Sequence, residues 1–205
     1  MICPLCQHVA TPFLKKEFYH CPHCAGIFRD RNNLISSQEE RRRYEQHNND
    51  VEDPGYQQFV SPITSYVLST FSPRSAGLDF GAGPGLVICK ILKDKGYNIL
   101  PYDPFFANYK TLLDRKYDYI VCCEVMEHFH HPRHEWSRLY HMLEPEGMVV
   151  GMTHLYSGEI DFASWYYKND PTHVFIYQAA TIEYIANTFS FRSFEVNNRL
   201  IVLKK

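Results

Sequence analysis

No apolar run in the 205 residues approaches the length that spans a bilayer, which excludes a membrane-spanning helix. An excess of one charge is also missing. Lys and Arg number 21 against 23 Asp and Glu, a net charge of −2 at pH 7. Near neutrality argues against duplex nucleic acid as the main partner, because that binding is driven by neutralising phosphates. Two nucleotide signatures are absent too. No Gly-Lys-Ser/Thr occurs, and Leu86 stands where a Gly-x-Gly-x-x-Gly fingerprint needs its third glycine. The N-terminus opens directly into Cys3-Pro4-Leu5-Cys6, with no room for a signal peptide, so the sequence predicts a cytoplasmic protein. The length fits one ordinary domain with a small appendage.

Four of the seven cysteines form two Cys-x-x-Cys pairs, Cys3 with Cys6 and Cys21 with Cys24. Each pair can offer two thiolates from one tight turn, and two such turns complete a tetrahedron around zinc. Residues 1–30 therefore read as a zinc ribbon, with Phe13, Leu14, Phe18 and Tyr19 supplying a short hairpin. So small a piece needs the metal in order to fold. Four protein ligands leave no open position, which makes the zinc structural. Disulfides are the alternative, and a cytoplasmic setting argues against them. His8, His20 and His23 lie close by, but four cysteines suffice. Cys89, Cys122 and Cys123 sit among apolar neighbours and read as small core residues.

Residues 31–72 read as a helical linker or cap. A capped helix starts at Ser36-Ser37-Gln38-Glu39, and its run Arg41-Arg42-Arg43 reads as a solvated face. His47-Asn48-Asn49-Asp50 and Glu52-Asp53-Pro54-Gly55-Tyr56 read as turns. A second helix over 61–71 carries Ile63, Tyr66, Val67 and Phe71 on one side. This segment is placed to fold over a pocket of the main domain.

Residues 73–205 alternate strands and helices. Strands are predicted at 76–80, 97–102, 117–123 and 148–152, and helices at 86–95, 132–143 and 178–189. Residues 144–147 read as a turn. Strands at 194–196 and 200–203 flank Asn197-Asn198, a hairpin signal. The pattern predicts an α/β, Rossmann-like fold: a mostly parallel sheet with helices on both faces and a C-terminal antiparallel hairpin. Ligands of such sheets sit at the carboxyl ends of the strands. Those ends gather residues 79–85, Asp103, Glu124 to His128, and Thr153-His154.

Leu78-Asp79-Phe80-Gly81-Ala82-Gly83-Pro84-Gly85 places an acid at a strand end and glycines at every second position before a helix. Glycine allows the sharp turn and the close approach of a ligand, and the helix N-terminus aims amides at the same space. Asp103 closes the next strand, where a carboxylate can bind ribose hydroxyls.

With these motifs in this order, residues 40–205 resemble the class I S-adenosylmethionine-dependent methyltransferases. Residues 78–85 are similar to their first motif and Tyr102-Asp103-Pro104 to their second. The stretch from Tyr117 through Cys123-Glu124-Val125-Met126-Glu127-His128-Phe129 is similar to their fourth-strand motif. Leu143-Glu144-Pro145-Glu146-Gly147-Met148 resembles the turn before their fifth strand; the best match is the branch that includes quinone- and small-molecule methyltransferases, to which Asp170-Pro171-Thr172-His173 followed by a helix is also similar. The resemblance implies S-adenosylmethionine as cofactor. Asp79, Gly81, Gly83 and Gly85 would then hold its methionine part and Asp103 its ribose, with Glu124 at the same crevice. One departure stands out: residues 104–116 are too few for the usual helix, third strand and adenine-side acid. Asp114 is a poor substitute for that acid, and Phe105-Phe106 offers a stacking wall instead.

The fourth strand ends in Cys123-Glu124 and not in the Asn/Asp-Pro-Pro-Tyr/Phe of many N-methylating relatives, which favours O- or C-methylation of a small or carrier-linked acceptor. His154, His173 and His128 are the candidate proton acceptors, with Glu124 a further candidate. Trp165, Tyr166 and Tyr167 can close on a flat substrate. His128-Phe129-His130-His131 reads as ordinary helix-start histidines, since adjacent ones do not converge on a metal. Two other readings are carried. One is RNA methylation, with Lys15, Lys16, Arg29, Arg31 and Arg41 to Arg43 gripping RNA. The other is a non-catalytic cofactor-binding module.

Overall fold

Three short strands open the chain: β1 (Thr11–Leu14), β2 (Phe18–His20) and β3 (Ile27–Arg29), paired antiparallel in chain order. They belong to a computed structural model that describes residues 1–46 and 50–205. The expected β1–β2 hairpin is present, turned by Lys15 and Lys16 at φ of 44° and 61°. Cys3 and Cys6 precede it, and Cys21 and Cys24 lie between β2 and β3.

Helix α1 (Ser37–Glu45) starts as its sequence predicts. The Ser36 hydroxyl accepts from the Glu39 N–H, and the Glu39 carboxylate accepts from the Ser36 N–H. Its arginines do not all face solvent, however, because Arg43 ion-pairs with Asp170 at 2.7 Å. Helix α2 (Pro54–Thr70) begins well before residue 61. Asp53-Pro54-Gly55, read as a turn, is a helix start: Asp53 Oδ1 accepts from the Gly55 N–H at 2.8 Å, and Pro54 presets φ in the first turn. His47, Asn48 and Asn49 lie outside the described residues.

The main sheet then builds strand by strand: β4 (Gly77–Phe80), α3 (Val87–Asp94), β5 (Ile99–Tyr102), β6 (Tyr117–Cys123), α4 (Pro132–Met142), β7 (Leu143–Met152), β8 (Phe175–Ile176), α5 (Ala179–Thr188), β9 (Ser193–Asn197) and β10 (Leu200–Lys204). All but β8 of these strands form one sheet. Among the described residues its order is β5-β4-β6-β7-β10-β9. The pairs β4–β5, β4–β6 and β6–β7 are parallel, and the terminal hairpin is antiparallel. This is the mostly parallel α/β fold that the alternation predicts. Residues 104–116 supply a bridge between Asp103 and Ala107 and a 3₁₀ turn at Lys110–Asp114, in place of a further strand.

Two local readings are corrected. Residues 144–147 lie inside β7 and not before it, looped outward so that these four stand opposite Asp118 alone of β6. Glu146 takes φ 66°, and the β6–β7 register slips between Tyr117 and Tyr119. The β9–β10 turn is Asn198-Arg199, one residue later than expected, with Asn198 at φ 53°.

Alternation along the strands divides the core. Ile120 and Cys122 of β6 face α4 and α5 with Leu78, Trp136, Leu139, Ile182 and Ile185. Tyr119 and Val121 face α2 and α3 with Ile63, Val67, Ile88 and Leu92. The cysteine-bearing strands dock on the first of these faces. Strand β8 pairs with β3 through Ile27–Ile176 and Phe28–Phe175. The small sheet thus has the order β1-β2-β3-β8 among the described residues. Arg29 fastens the junction, donating from Nη2 to the carbonyls of Lys168 at 2.8 Å and Asp170 at 3.0 Å. No helix among the described residues is long and apolar enough to cross a membrane.

Candidate active site

A cavity of about 790 Å³ opens at the carboxyl ends of β4, β5 and β6. One wall is the loop from Gly81 to Pro84, together with Asp103, Phe105 and Phe106. Gly81 and Gly83 hold φ of 82° and 63°, which glycine adopts at little steric cost. Gly81 N–H and Ala82 N–H donate to the Tyr102 carbonyl at 2.8 and 3.1 Å, tying the loop to β5. Asp103 is buried and accepts three backbone N–H bonds: Gly83 on Oδ2 at 3.0 Å, Phe105 and Phe106 on Oδ1 at 2.8 and 3.0 Å. A carboxylate has about four lone-pair sites, so Asp103 keeps one for a ligand hydroxyl. Asp79 and Gly85 are not on the cavity wall. The Asp79 carboxyl is buried and meets Cys89 at the start of α3, and burial lifts it to about 7. It braces the strand against the helix. The cap helices close the opposite side with Glu40 and Tyr44 of α1 and Tyr56 and Phe59 of α2.

Behind the end of β6 lies a carboxylate network. Glu124 takes φ 50°, lines the cavity, and accepts from Arg199 Nη2 at 2.6 Å. The Tyr167 hydroxyl bridges Glu124 at 3.3 Å and the fully buried Glu127 at 2.5 Å. Thr153 donates to the other Glu127 oxygen at 3.0 Å. Burial, then the neighbouring Glu127 charge, lifts Glu124 to about 7. Burial raises Glu127 as well.

The three candidate histidines part company. His128 and His173 both line the cavity, with ring centroids 5.0 Å apart. His128 Nδ1 lies 2.9 Å from the Thr172 carbonyl and His173 Nδ1 2.7 Å from the Tyr167 carbonyl. A carbonyl oxygen can only accept, so both Nδ1 atoms carry the proton and both Nε2 atoms keep a lone pair. Burial lowers His128, and burial followed by His128 lowers His173 to about 4. His154 is not on the cavity wall. Its Nε2 meets the Tyr166 hydroxyl at 3.1 Å, beside the Tyr167 ring. Trp165 packs with Tyr156 and Phe162 beneath the small sheet.

The other cluster is formed by Cys3, Cys6, Cys21 and Cys24. All four are buried and unbridged, and their sulfurs lie within 4.8 Å of one another. Cys3 and Cys24 sulfurs are 3.6 Å apart, Cys6 and Cys21 3.3 Å. Thiolates about 2.3 Å from zinc in a tetrahedron stand about 3.8 Å apart, so the donors fit that ion. Cys89 and Cys122 are core residues as expected, whereas Cys123 is half-buried and reaches the cavity wall.

A family model described as a methyltransferase domain matches residues 54–195, well over half of the chain. The chain belongs to the methyltransferase-domain family. No curated protein matches it by sequence. Among solved structures, this methyltransferase domain resembles the 1,6-didemethyltoxoflavin-N1-methyltransferase of Burkholderia thailandensis, with TM-score 0.61 and 11% identity over 97% of this chain and 99% of that one. An O-methyltransferase family protein of Burkholderia thailandensis gives 0.54 at 11% identity over 79% and 60% of the two chains. Human N-acetylserotonin methyltransferase gives 0.54 at 17% identity over 82% and 56%. The methyltransferase chain thus spans about three fifths of the last two. At these identities the likeness speaks for the fold.

Of the residues singled out from the sequence, the cavity gathers Gly81, Gly83, Asp103, Glu124, His128 and His173. Arg199 and the pairing of Glu127 with Thr153 and Tyr167 escaped sequence reasoning. Arg199 is the second residue of the β9–β10 turn and reaches Glu124 across 75 residues, a contact that no local pattern encodes. Of the basic residues read as RNA-gripping material, Arg29 and Arg43 are spent on residues 168–170 and Arg41 on Glu45.

Proposed function

We propose that this methyltransferase moves the methyl group of S-adenosylmethionine to an oxygen or carbon nucleophile of a small or carrier-linked molecule. The observation that carries the reading is one cavity with a glycine loop and Asp103 on one wall and two imidazoles with free Nε2 lone pairs on another. Gly81 and Gly83 allow close approach of the cofactor's methionine portion, Asp103 offers its remaining lone pair to a ribose hydroxyl, and Phe105 and Phe106 flank the adenine. When bound, the cofactor supplies an electrophilic methyl on a sulfonium. Tyr44, Tyr56 and Phe59 exclude water and hold the acceptor, and orientation of this kind can supply much of the acceleration. His128 or His173 holds the acceptor's hydroxyl and takes its proton. His154 acts at one remove, by fixing Tyr166 and Tyr167. Asp79 organises the loop from below. Cys3, Cys6, Cys21 and Cys24 hold a structural zinc, and the protein works in the cytoplasm.

Calorimetric titration with S-adenosylmethionine tests the reading. Binding is expected in the micromolar range, and Asp103→Ala is expected to weaken it about tenfold or more, the scale of a lost charge-assisted hydrogen bond. Absence of binding at millimolar cofactor would refute methyl transfer, and an unchanged affinity in Asp103→Ala would refute the ribose role. Labelled cofactor incubated with metabolite extracts then reports which molecule gains the methyl.

A further inference from the structure

Next to the cofactor wall stands a group of side chains that the methyl-transfer chemistry has not used together. A carboxylate oxygen of Glu127 and one ring nitrogen each of His128 and His173 lie within 4.8 Å of one another. Glu127 and His128 leave the end of β6 on one short 3₁₀ turn, and His173 arrives from the loop that precedes β8. His173 is thus brought to the other two across 45 or more residues of chain, which a run of adjacent histidines could not do.

Each donor is oriented from behind. The Nδ1–H of His128 is held by the Thr172 carbonyl and that of His173 by the Tyr167 carbonyl. Histidines that ligate metals through one nitrogen commonly donate the other to such a carbonyl, which fixes ring and tautomer. Glu127 accepts Tyr167 on one oxygen and Thr153 on the other, at 2.5 and 3.0 Å. Glu124 and the backbone of Glu127 itself also contact this fully buried carboxylate, so an ion would take the place of one of these contacts. Glu124 adds a second carboxylate nearby, joined to Glu127 through the Tyr167 hydroxyl. Ligand atoms 2.0–2.2 Å from one ion stand about 3 Å apart, so small side-chain movements would close the triangle.

We propose that Glu127, His128 and His173 form a binding site for a divalent transition-metal ion on the acceptor side of the cavity. Two imidazoles and one carboxylate suit manganese, iron, cobalt or zinc better than calcium, which prefers oxygen donors alone. Three protein ligands leave coordination positions open, and because His128 and His173 are on the cavity wall, those positions face the acceptor. An acceptor hydroxyl or a vicinal pair of oxygens is the chemistry such positions take. The ion would lower the hydroxyl's affinity for its proton, which would then pass to water in the cavity, so that with the ion bound His128 and His173 serve as ligands in place of the proton-accepting role given above. The site is read from ligand geometry alone. Its use in methyl transfer rests on the function proposed above.

The full-length, zinc-loaded protein titrated with Mn²⁺ and followed by loss of the free-ion electron paramagnetic resonance signal tests the proposal. One Mn²⁺ per chain is expected, and His128→Ala and His173→Ala should each weaken it at least tenfold. Replacing Cys3 or Cys24 by Ser should leave Mn²⁺ binding in place, because a thiolate set selects zinc. If an alanine variant misfolds, His173→Gln with unaltered binding of S-adenosylhomocysteine serves instead. No uptake of Mn²⁺, Co²⁺ or Zn²⁺ beyond the four-cysteine site in the wild type, or equal uptake in the histidine variants, overturns the proposal. Cofactor titration is independent of this readout, so failure of the metal site and failure of methyl transfer are told apart.

Discussion

Asp79 shows how one residue can serve position and cost stability together. Its carboxyl is buried beneath the glycine loop, meets Cys89, and is lifted by burial to about 7. An aspartate in the unfolded chain titrates near 3.9, to a rough average. Between these values the folded state keeps a proton that the unfolded state has lost, so the contribution of Asp79 to stability is fully present below about pH 4 and is lost as pH rises to about 7. Asp79→Asn removes this dependence. Melting curves should show the variant gaining on the wild type between pH 5 and pH 8, by on the order of 2–4 kcal/mol in total. A constant difference across that range would contradict the buried, protonated acid. The place of Gly81, Gly83 and Asp103 on the cavity wall was legible in the sequence because local spacing sets it. Glu127 was visible only as part of a motif, because its partners Tyr167 and Thr153 come from 40 and 26 residues away.

At the scale of elements, the junction between β3 and β8 governs how residues 166–176 are held. Arg29 donates twice into that segment, and its own N–H donates to the Val174 carbonyl at 2.9 Å. Arg29→Ala should destabilise the protein by about 2–3 kcal/mol, the scale of charge-assisted hydrogen bonds to carbonyls left without a donor. Hydrogen exchange should quicken over 166–176 and stay unchanged over β4 and β6. Uniform acceleration would assign Arg29 to general packing instead. Strand β8 was illegible in the sequence because two residues, Phe175 and Ile176, are too few to show a period. The start of α2 was misread for a different reason: Asp-Pro-Gly serves both turns and helix N-termini, and only the length of apolar surface buried behind it decides. The long strands and amphipathic helices of the main sheet, by contrast, announced themselves through repeated patterns.

For the molecule as a whole, the cysteine cluster and the main sheet share one apolar cluster that runs from Cys3, Leu5 and Phe28 through Phe175 and Tyr177 to Trp136. Removing the proposed zinc with a strong chelator should therefore lower the melting temperature of the entire chain. A loss of roughly 3–5 kcal/mol corresponds to about 6–20 °C at this size. The transition should stay single, with residues 1–30 and 175–176 losing exchange protection together. Two separated transitions would mean that the N-terminal strands melt on their own. The contact of Gly26 with Phe175 carries this coupling further. A methyl group at position 26 would stand 2.4 Å from the tip of the Phe175 ring. The first thirty residues and the loop bearing His173 are therefore matched like lock parts cut together. A chimera that borrows another protein's metal-binding ribbon would have to bring a glycine to that place and a flat residue opposite β8. In descent the two segments would change in step, although most of the chain separates them.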